Sequence, residues 1–193
     1  MSKLQNTFTT IGASNHSKRK RAESDFYSTD PSAITLLHKH GLLDNQPYWE
    51  NAVGSGNLAK ELTRLGYNVT KATDLYDRGY GESGINFLEC TEKFNGNIIT
   101  NPPYFALNDF ILKGIELSTN RLYIFARIQT LESQGRYNNI YKYYKPIYVC
   151  PFVKRIQCYR DGRDKKYSSA IAYAWFIWDN TVANNDTKVI WLI

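Results

Sequence analysis

Apolar positions in this chain follow two periods, and each switch between them marks an element. Residues 46–53 read as a strand that empties into Gly54-Ser55-Gly56, after which Leu58, Leu62 and Leu65 recur at helical spacing. Gly66 stands where that helix should close, since glycine accepts the left-handed backbone of a C-terminal cap. Residues 67–73 predict a second strand ending at Asp74, 85–88 a short third and 96–100 a fourth. Upstream, Asp30-Pro31 is a helix start, with Asp as N-cap and Pro in the first helical position, leading Ile34, Leu36 and Leu37 towards Gly41. Residues 108–119 predict a helix burying Phe110, Ile111 and Ile115, and 121–127 a fifth strand. Residues 149–159 and 171–178 read as two strands joined by the polar Asp161-Gly162-Arg163-Asp164, a long hairpin, with 188–193 a last short strand. Early βαβ alternation with a late hairpin predicts an α/β chain whose mostly parallel sheet ends in an antiparallel strand.

A length of 193 residues suits one domain. Residues 1–24 lack periodicity and carry Lys18-Arg19-Lys20-Arg21, so they read as a flexible basic arm before a domain spanning 25–193. No apolar run reaches the ~18 residues of a membrane span. Met1 to Ser14 is polar rather than an export leader, so a cytoplasmic location is expected. Cys90, Cys150 and Cys158 are odd in number and lack CxxC spacing, which predicts reduced thiols with neither zinc nor a disulfide framework. His16, His38 and His40 are not spaced as a ligand set; they read as surface residues, and no metal is expected. The net charge of +6 favours a polyanionic partner. Lys142, Lys145, Lys154, Arg155, Arg160, Arg163, Lys165 and Lys166 crowd the C-terminal third among tyrosines, a mixture suited to phosphate contact.

Two motifs carry chemistry. In Ile98-Ile99-Thr100-Asn101-Pro102-Pro103-Tyr104 an apolar strand opens into a turn where two prolines fix the backbone and leave carbonyls as acceptors. The Asn101 side-chain oxygen adds an acceptor and Tyr104 a flat face. Together they can grip an exocyclic –NH2 on a planar group by both hydrogens. The second motif is Glu50-Asn51-Ala52-Val53-Gly54-Ser55-Gly56, a strand-turn-helix junction that lets a cofactor approach the backbone. Asp74, at the next strand's carboxyl end, can accept from a ribose diol. Asn86-Phe87-Leu88 can supply an amide to an adenine amino group and an apolar wall. A dinucleotide fold would want a third glycine, and position 59 is Ala59; the Asn-Pro-Pro-Tyr turn does not fit hydride transfer.

With these motifs in this order, the sequence resembles a class I S-adenosylmethionine-dependent methyltransferase of the N6-adenine DNA type, in its small phage and prophage form. Asp25-Phe26-Tyr27-Ser28-Thr29-Asp30-Pro31, Thr73-Asp74-Leu75-Tyr76-Asp77-Arg78-Gly79-Tyr80-Gly81 and Ala172-Tyr173-Ala174-Trp175-Phe176-Ile177-Trp178 extend the similarity to most of the chain from Asp25 onward. The resemblance implies a Rossmann-like fold with a mostly parallel seven-stranded sheet and an antiparallel C-terminal hairpin. It implies transfer of a methyl group from S-adenosylmethionine to N6 of a flipped adenine in DNA, in a bacterial cell or phage-infected host. By the same resemblance Tyr27, Thr29 and Pro31 flank the cofactor's methionine end, and Gly54 and Gly56 pass under it. Asp74 holds the ribose, Asn86 and Phe87 bracket the adenine, and Glu50, Ala52 and Leu75 complete the cofactor set. Asn101 and the Pro102 carbonyl bind the target amino group, with Pro103 fixing the turn and Tyr104 stacked on the base. Three positions depart from the pattern: Asp30 and Asn51 stand where prolines are frequent, and Asn86 where Asp is usual.

Arg136, Lys154, Arg155, Arg160 and Arg163 are the candidate nucleic-acid contacts, with 129–145 and 160–168 the segments able to read sequence. RNA bases and protein glutamine present a similar planar –NH2, so RNA amino-methylation and glutamine methylation stay open. The ~24-residue arm is short for the helical recognition domain that glutamine enzymes carry. A non-catalytic nucleic-acid-binding module on a methyltransferase fold also stays open.

Overall fold

The computed structural model describes residues 27–160, 171–183 and 186–193. The predicted basic arm lies outside the described residues, as do His16, Arg163 and the hairpin loop. The chain builds β1 (Tyr27–Thr29), α1 (Ser32–Lys39), β2 (Tyr48–Glu50), α2 (Asn57–Arg64), β3 (Val69–Ala72), β4 (Asn97–Thr100), α3 (Leu107–Leu117) and β5 (Arg121–Arg127). A short helical turn α4 (Gln134–Arg136), running on into a wider turn (Tyr137–Tyr141), precedes β6 (Tyr148–Pro151), β7 (Cys158–Arg160), β8 (Tyr173–Asp179) and β9 (Lys188–Val189).

One seven-stranded sheet runs β3-β2-β4-β5-β8-β6-β9. Its first four strands are parallel, and β8 is antiparallel to both β5 and β6. Period-2 burial explains why the sheet is covered on both faces. Tyr123 and Phe125 of β5, with Trp175 and Ile177 of β8, join Ile34 and Leu37 of α1 and Leu58 and Leu62 of α2. Leu122, Ile124, Phe176 and Trp178 point the other way, to Phe110 and Ile111 of α3 and to Ile140. Each such side chain, fully buried, contributes ~1.5–3 kcal/mol. The polar tips of the large residues are satisfied: Trp175 Nε1 donates to Ala33 O at 3.0 Å and Tyr123 Oη to Leu42 O at 3.0 Å.

The helix start falls one residue later than predicted, with Pro31 as the N-cap and Ser32 as the first helical residue. Pro31 is already helical (φ −55°, ψ −27°), and Asp30 Oδ1 accepts from Ser32 N at 2.9 Å. Gly66 ends α2 at φ 89°. In α3 Phe110 and Ile111 are buried, whereas Ile115 is only partly so.

Two strand expectations are corrected. Residues 85–88 form no strand: Asn86 Oδ1 accepts from Leu88 N at 3.2 Å and starts a tight turn, Phe87–Glu89, that drives Phe87 against Trp49 and Phe110. In place of a strand, Glu82 makes a single bridge beside β3, and Gly81 (φ 73°) lets the chain pass so close to Ala72 O that a Cβ would sit 2.5 Å from it. Residues 149–159 are not one strand. Pro151 closes β6, having no N–H to continue a ladder, and Cys158–Arg160 instead pairs antiparallel with β1 as a separate two-stranded sheet. The β6–β8 half of the expected hairpin is present, from Tyr148↔Ile177 to Pro151↔Ala174.

Candidate active site

The carboxyl ends of β2, β3 and β4 converge on one edge of the sheet, and three clefts open there. The widest, about 250 Å³, is bordered by Tyr27, Ala52, Asp74, Leu75, Asn86 and Phe87, with Pro103 and Phe105 along the β4 side. A narrow annex of about 30 Å³ lies among Tyr27, Thr29, Glu50, Gly54 and Asn101. A third cleft, about 200 Å³, lies at the end of β5 among Tyr104, Arg127, Gln129, Thr130, Glu132 and Arg136.

Backbone geometry sets the first two. Gly54 (φ 55°) and Gly56 (φ 81°) bend the chain from β2 into α2. Gly54 N donates to Asp74 Oδ2 at 2.8 Å and Tyr76 N to Asp74 Oδ1 at 2.9 Å, so the carboxylate is fixed across the turn with lone pairs to spare. Gly56 touches neither cleft lining; a Cβ there would meet the Tyr80 ring at 2.5 Å, so its glycine serves the close packing of the 77–84 loop. Glu50 is buried and accepts from Ala59 N at 2.8 Å, at the start of α2. Burial pushes its carboxyl well above the usual range, with the Ala59 bond opposing and the Asp74 charge adding. β1 is tied over the turn by Asn57, whose Nδ2 donates to Ser28 Oγ at 2.6 Å and Thr29 O at 3.1 Å.

Asn101 is the most constrained group. Its Nδ2 donates to Tyr27 O at 3.1 Å and Thr29 Oγ1 at 2.8 Å. A carbonyl can only accept, so the amide orientation is determined and Oδ1 points away from β1. That oxygen is buried and has no partner among the described residues. Such an acceptor, unpaired, costs ~1–3 kcal/mol. Asn51, just after β2, and Thr100, at the end of β4, carry further unpaired buried polar atoms. Tyr104 packs against Tyr27 with ring centres 5.4 Å apart, and its Oη lies 3.1 Å from Tyr173 Oη. Burial pushes its hydroxyl up to about 12, so the ring stays neutral near pH 7.

The structure therefore gathers Tyr27, Thr29, Glu50, Ala52, Gly54, Asp74, Leu75, Asn86, Phe87 and Asn101 around adjoining clefts, with Pro103 and Tyr104 at their edges. It leaves Pro31 exposed in the first turn of α1, and it buries Pro102. Asn86 spends both ends of its amide locally, accepting from Leu88 N and donating to Glu89 Oε1 at 2.7 Å. Arg136 lies beside Tyr104, its guanidinium bound to Thr130 O at 2.7 Å and Asn108 Oδ1 at 2.8 Å. Lys154 and Arg155 are exposed and line none of the three clefts, and the Arg160 side chain lies outside the description. Sequence reasoning missed Phe105, Phe110 and Arg127. Phe105 directly follows the Asn-Pro-Pro-Tyr turn, and Arg127 ends a parallel strand on the site edge, so strand-end position was the available signal. Among the described residues no cluster of His, Cys, Asp or Glu is placed to hold a metal ion, and no helix is long and apolar enough to cross a membrane.

No protein-family model and no curated protein matches the chain. Solved structures do. A type I restriction-modification methyltransferase subunit from Streptococcus thermophilus superposes with a TM-score of 0.62 at 16% identity, over 87% of this chain and 47% of that one. An RNA methyltransferase candidate from Pyrococcus horikoshii gives 0.55 at 14% identity, over 77% and 81%. Magnesium protoporphyrin IX methyltransferase from Synechocystis PCC 6803, with S-adenosylmethionine bound, gives 0.50 at 13% identity, over 77% and 76%. At these identities the likeness establishes the fold: the Rossmann-like class I methyltransferase architecture.

Proposed function

We propose that this protein transfers a methyl group from S-adenosylmethionine to the exocyclic N6 amino group of adenine in DNA. The carrying observation is Asn101 Oδ1: a buried acceptor with a fixed direction and no partner among the described residues, beside the annex and next to an aromatic ring. A planar amino group is the chemistry that satisfies it.

The cofactor fits the residues present. Asp74 offers a fixed carboxylate to a ribose diol, and the apolar walls of Leu75, Phe87 and Phe105 suit a purine. The annex beside Gly54 and Thr29 suits the methionine end. When bound, S-adenosylmethionine supplies an electrophilic methyl group on a sulfonium sulfur. The chain's own part is positional. Asn101 Oδ1 and the Pro102 carbonyl accept the two amino hydrogens, which orients the nitrogen lone pair. Tyr104 offers its ring to the base plane, and the Tyr27 and Thr29 contacts keep Asn101 from rotating away. Orientation of this kind supplies a large part of a rate enhancement when the reacting groups are already matched. Extruding the base from the duplex costs a few kcal/mol, of order what stacking on an aromatic ring returns. The basic charge supports a nucleic-acid substrate, and the restriction-modification neighbour favours DNA.

The test is transfer of labelled methyl to unmethylated plasmid DNA by the wild type and by Asn101→Ala. Loss of one preorganised hydrogen-bonding group should slow transfer by about 10²–10³-fold, with S-adenosylhomocysteine still bound. Equal transfer by both proteins would sink the assignment. Cofactor binding without transfer to DNA would move the substrate to RNA or a glutamine side chain.

A further inference from the structure

The third cleft is not needed to explain cofactor binding, yet it holds a guanidinium against the ring assigned to the base. Arg127 Cζ lies 4.6 Å from the centre of the Tyr104 ring. Tyr27 approaches that ring from the cofactor clefts, whereas Arg127 lines the cleft beyond. Sheet register puts it there. Arg127 is the last residue of β5 and pairs with Tyr173, whose hydroxyl meets that of Tyr104. A guanidinium is planar and stacks on aromatic faces as a base does.

We propose that Arg127 is a placeholder for the target nucleotide: its guanidinium covers the face of Tyr104 on which the base stacks, and base entry moves it onto the nucleic-acid backbone phosphate. The proposal rests on the nucleic-acid methyltransferase reading. Two neighbours sharpen it. Arg136, the cleft's other guanidinium, is held by Thr130 O and Asn108 Oδ1 and acts as a wall. Arg127 is exposed at a strand end, so its release exposes little new surface. Arg127 is thus a positioning residue.

The placeholder role predicts effects of opposite sign on two ligands. With S-adenosylhomocysteine bound, Arg127→Ala should bind deoxyadenosine, which carries no phosphate, several-fold more tightly than wild type. For a mixed-sequence DNA duplex the same variant should bind about 5–10-fold more weakly. Its plot of log affinity against log salt should lose about one unit of slope, the signature of one lost phosphate contact. Arg127→Lys should keep the salt slope and still bind deoxyadenosine more tightly, because an ammonium does not stack as a planar guanidinium does. Unchanged S-adenosylhomocysteine affinity confirms that each variant is folded. Weaker or unchanged deoxyadenosine binding in Arg127→Ala, or an unchanged salt slope, overturns the proposal. A wild type that fails to bind S-adenosylhomocysteine removes the methyltransferase reading itself, and this proposal with it; that titration is run first.

Discussion

Strand β4 begins at a buried asparagine, Asn97, and is followed directly by a second asparagine, Asn101, and the two are treated in opposite ways. At its start Asn97 is paired at both ends of its amide: Nδ2 donates to Asp44 Oδ1 at 2.6 Å, while Oδ1 accepts from Asn120 Nδ2 at 2.7 Å and Arg121 N at 3.0 Å. Asp44 also accepts from Asn120 at 2.9 Å, and Arg121 pairs with Asp179 at 2.8 Å. Four residues on, Asn101 donates twice and leaves its acceptor unpaired. A buried polar group normally finds a partner inside the fold. At the amino ends of the strands this chain follows that rule, and the network staples the sheet. At the carboxyl ends Asn101 departs from it, and on the proposed function the missing partner is the target amino group, so stability is given up where chemistry is needed.

Substitutions can break that contrast or sharpen it. The largest effect on stability belongs to Asn97→Ala, which strands the Arg121 N–H and removes a donor from Asp44. Each group left unpaired costs about 1–3 kcal/mol, and a chain of this size loses about 2–4 °C in melting temperature per kcal/mol. Thermal melting should therefore fall clearly. Asn101→Ala should melt within about 1.5 kcal/mol of wild type, since losing two donated bonds is partly offset by removing an unpaired acceptor. Equal melting losses in the two variants would erase the contrast. Next comes Asp74→Ala, which removes a charged acceptor from the cofactor side. S-adenosylhomocysteine affinity should drop about 10–100-fold by titration calorimetry, matching ~1.5–3 kcal/mol for a hydrogen bond to a charged group, with DNA affinity unchanged.

Glu50 gives a subtler, pH-dependent test. Its folded-state carboxyl holds a proton to higher pH than the unfolded chain does. The folded form thus binds more protons, and this group's contribution to stability is full below the ordinary glutamate range and declines as pH rises through the folded value. Glu50→Gln cannot ionise, so its melting temperature relative to wild type should climb from about pH 4.5 upward. A difference independent of pH would mean that burial does not raise this carboxyl above its unfolded value. The smallest change expected is Tyr104→Phe, which keeps the ring and loses the hydroxyl's contacts with Tyr173 and Arg127, about 0.5–1.5 kcal/mol in stability for each. DNA affinity should hold.

The β2–turn–α2–β3 unit was legible because a period of 2 gives way to 3.6 across two glycines, within thirty residues of local sequence. β1 was not: three residues that pair with Cys158–Arg160, more than a hundred residues away, leave no periodic trace. Residues 85–88 misled because Phe87 is buried, as a strand residue would be, yet Asn86 captures the next backbone N–H and closes a turn. The predicted strand is absent, and β9 at the opposite edge brings the sheet to seven. The Asn-Pro-Pro-Tyr turn was readable because its chemistry is contiguous. Arg127 reaches Tyr104 only through the β5–β8 register, and Asn101 is held in place by β1, so both depend on tertiary structure that spacing alone does not encode.

The most direct test of the account is nucleoside analysis of plasmid DNA after incubation with the wild type and labelled S-adenosylmethionine. Recovery of the label as N6-methyldeoxyadenosine is the expected result. Label on a cytosine or in no nucleoside, from a protein that binds S-adenosylhomocysteine, would contradict it.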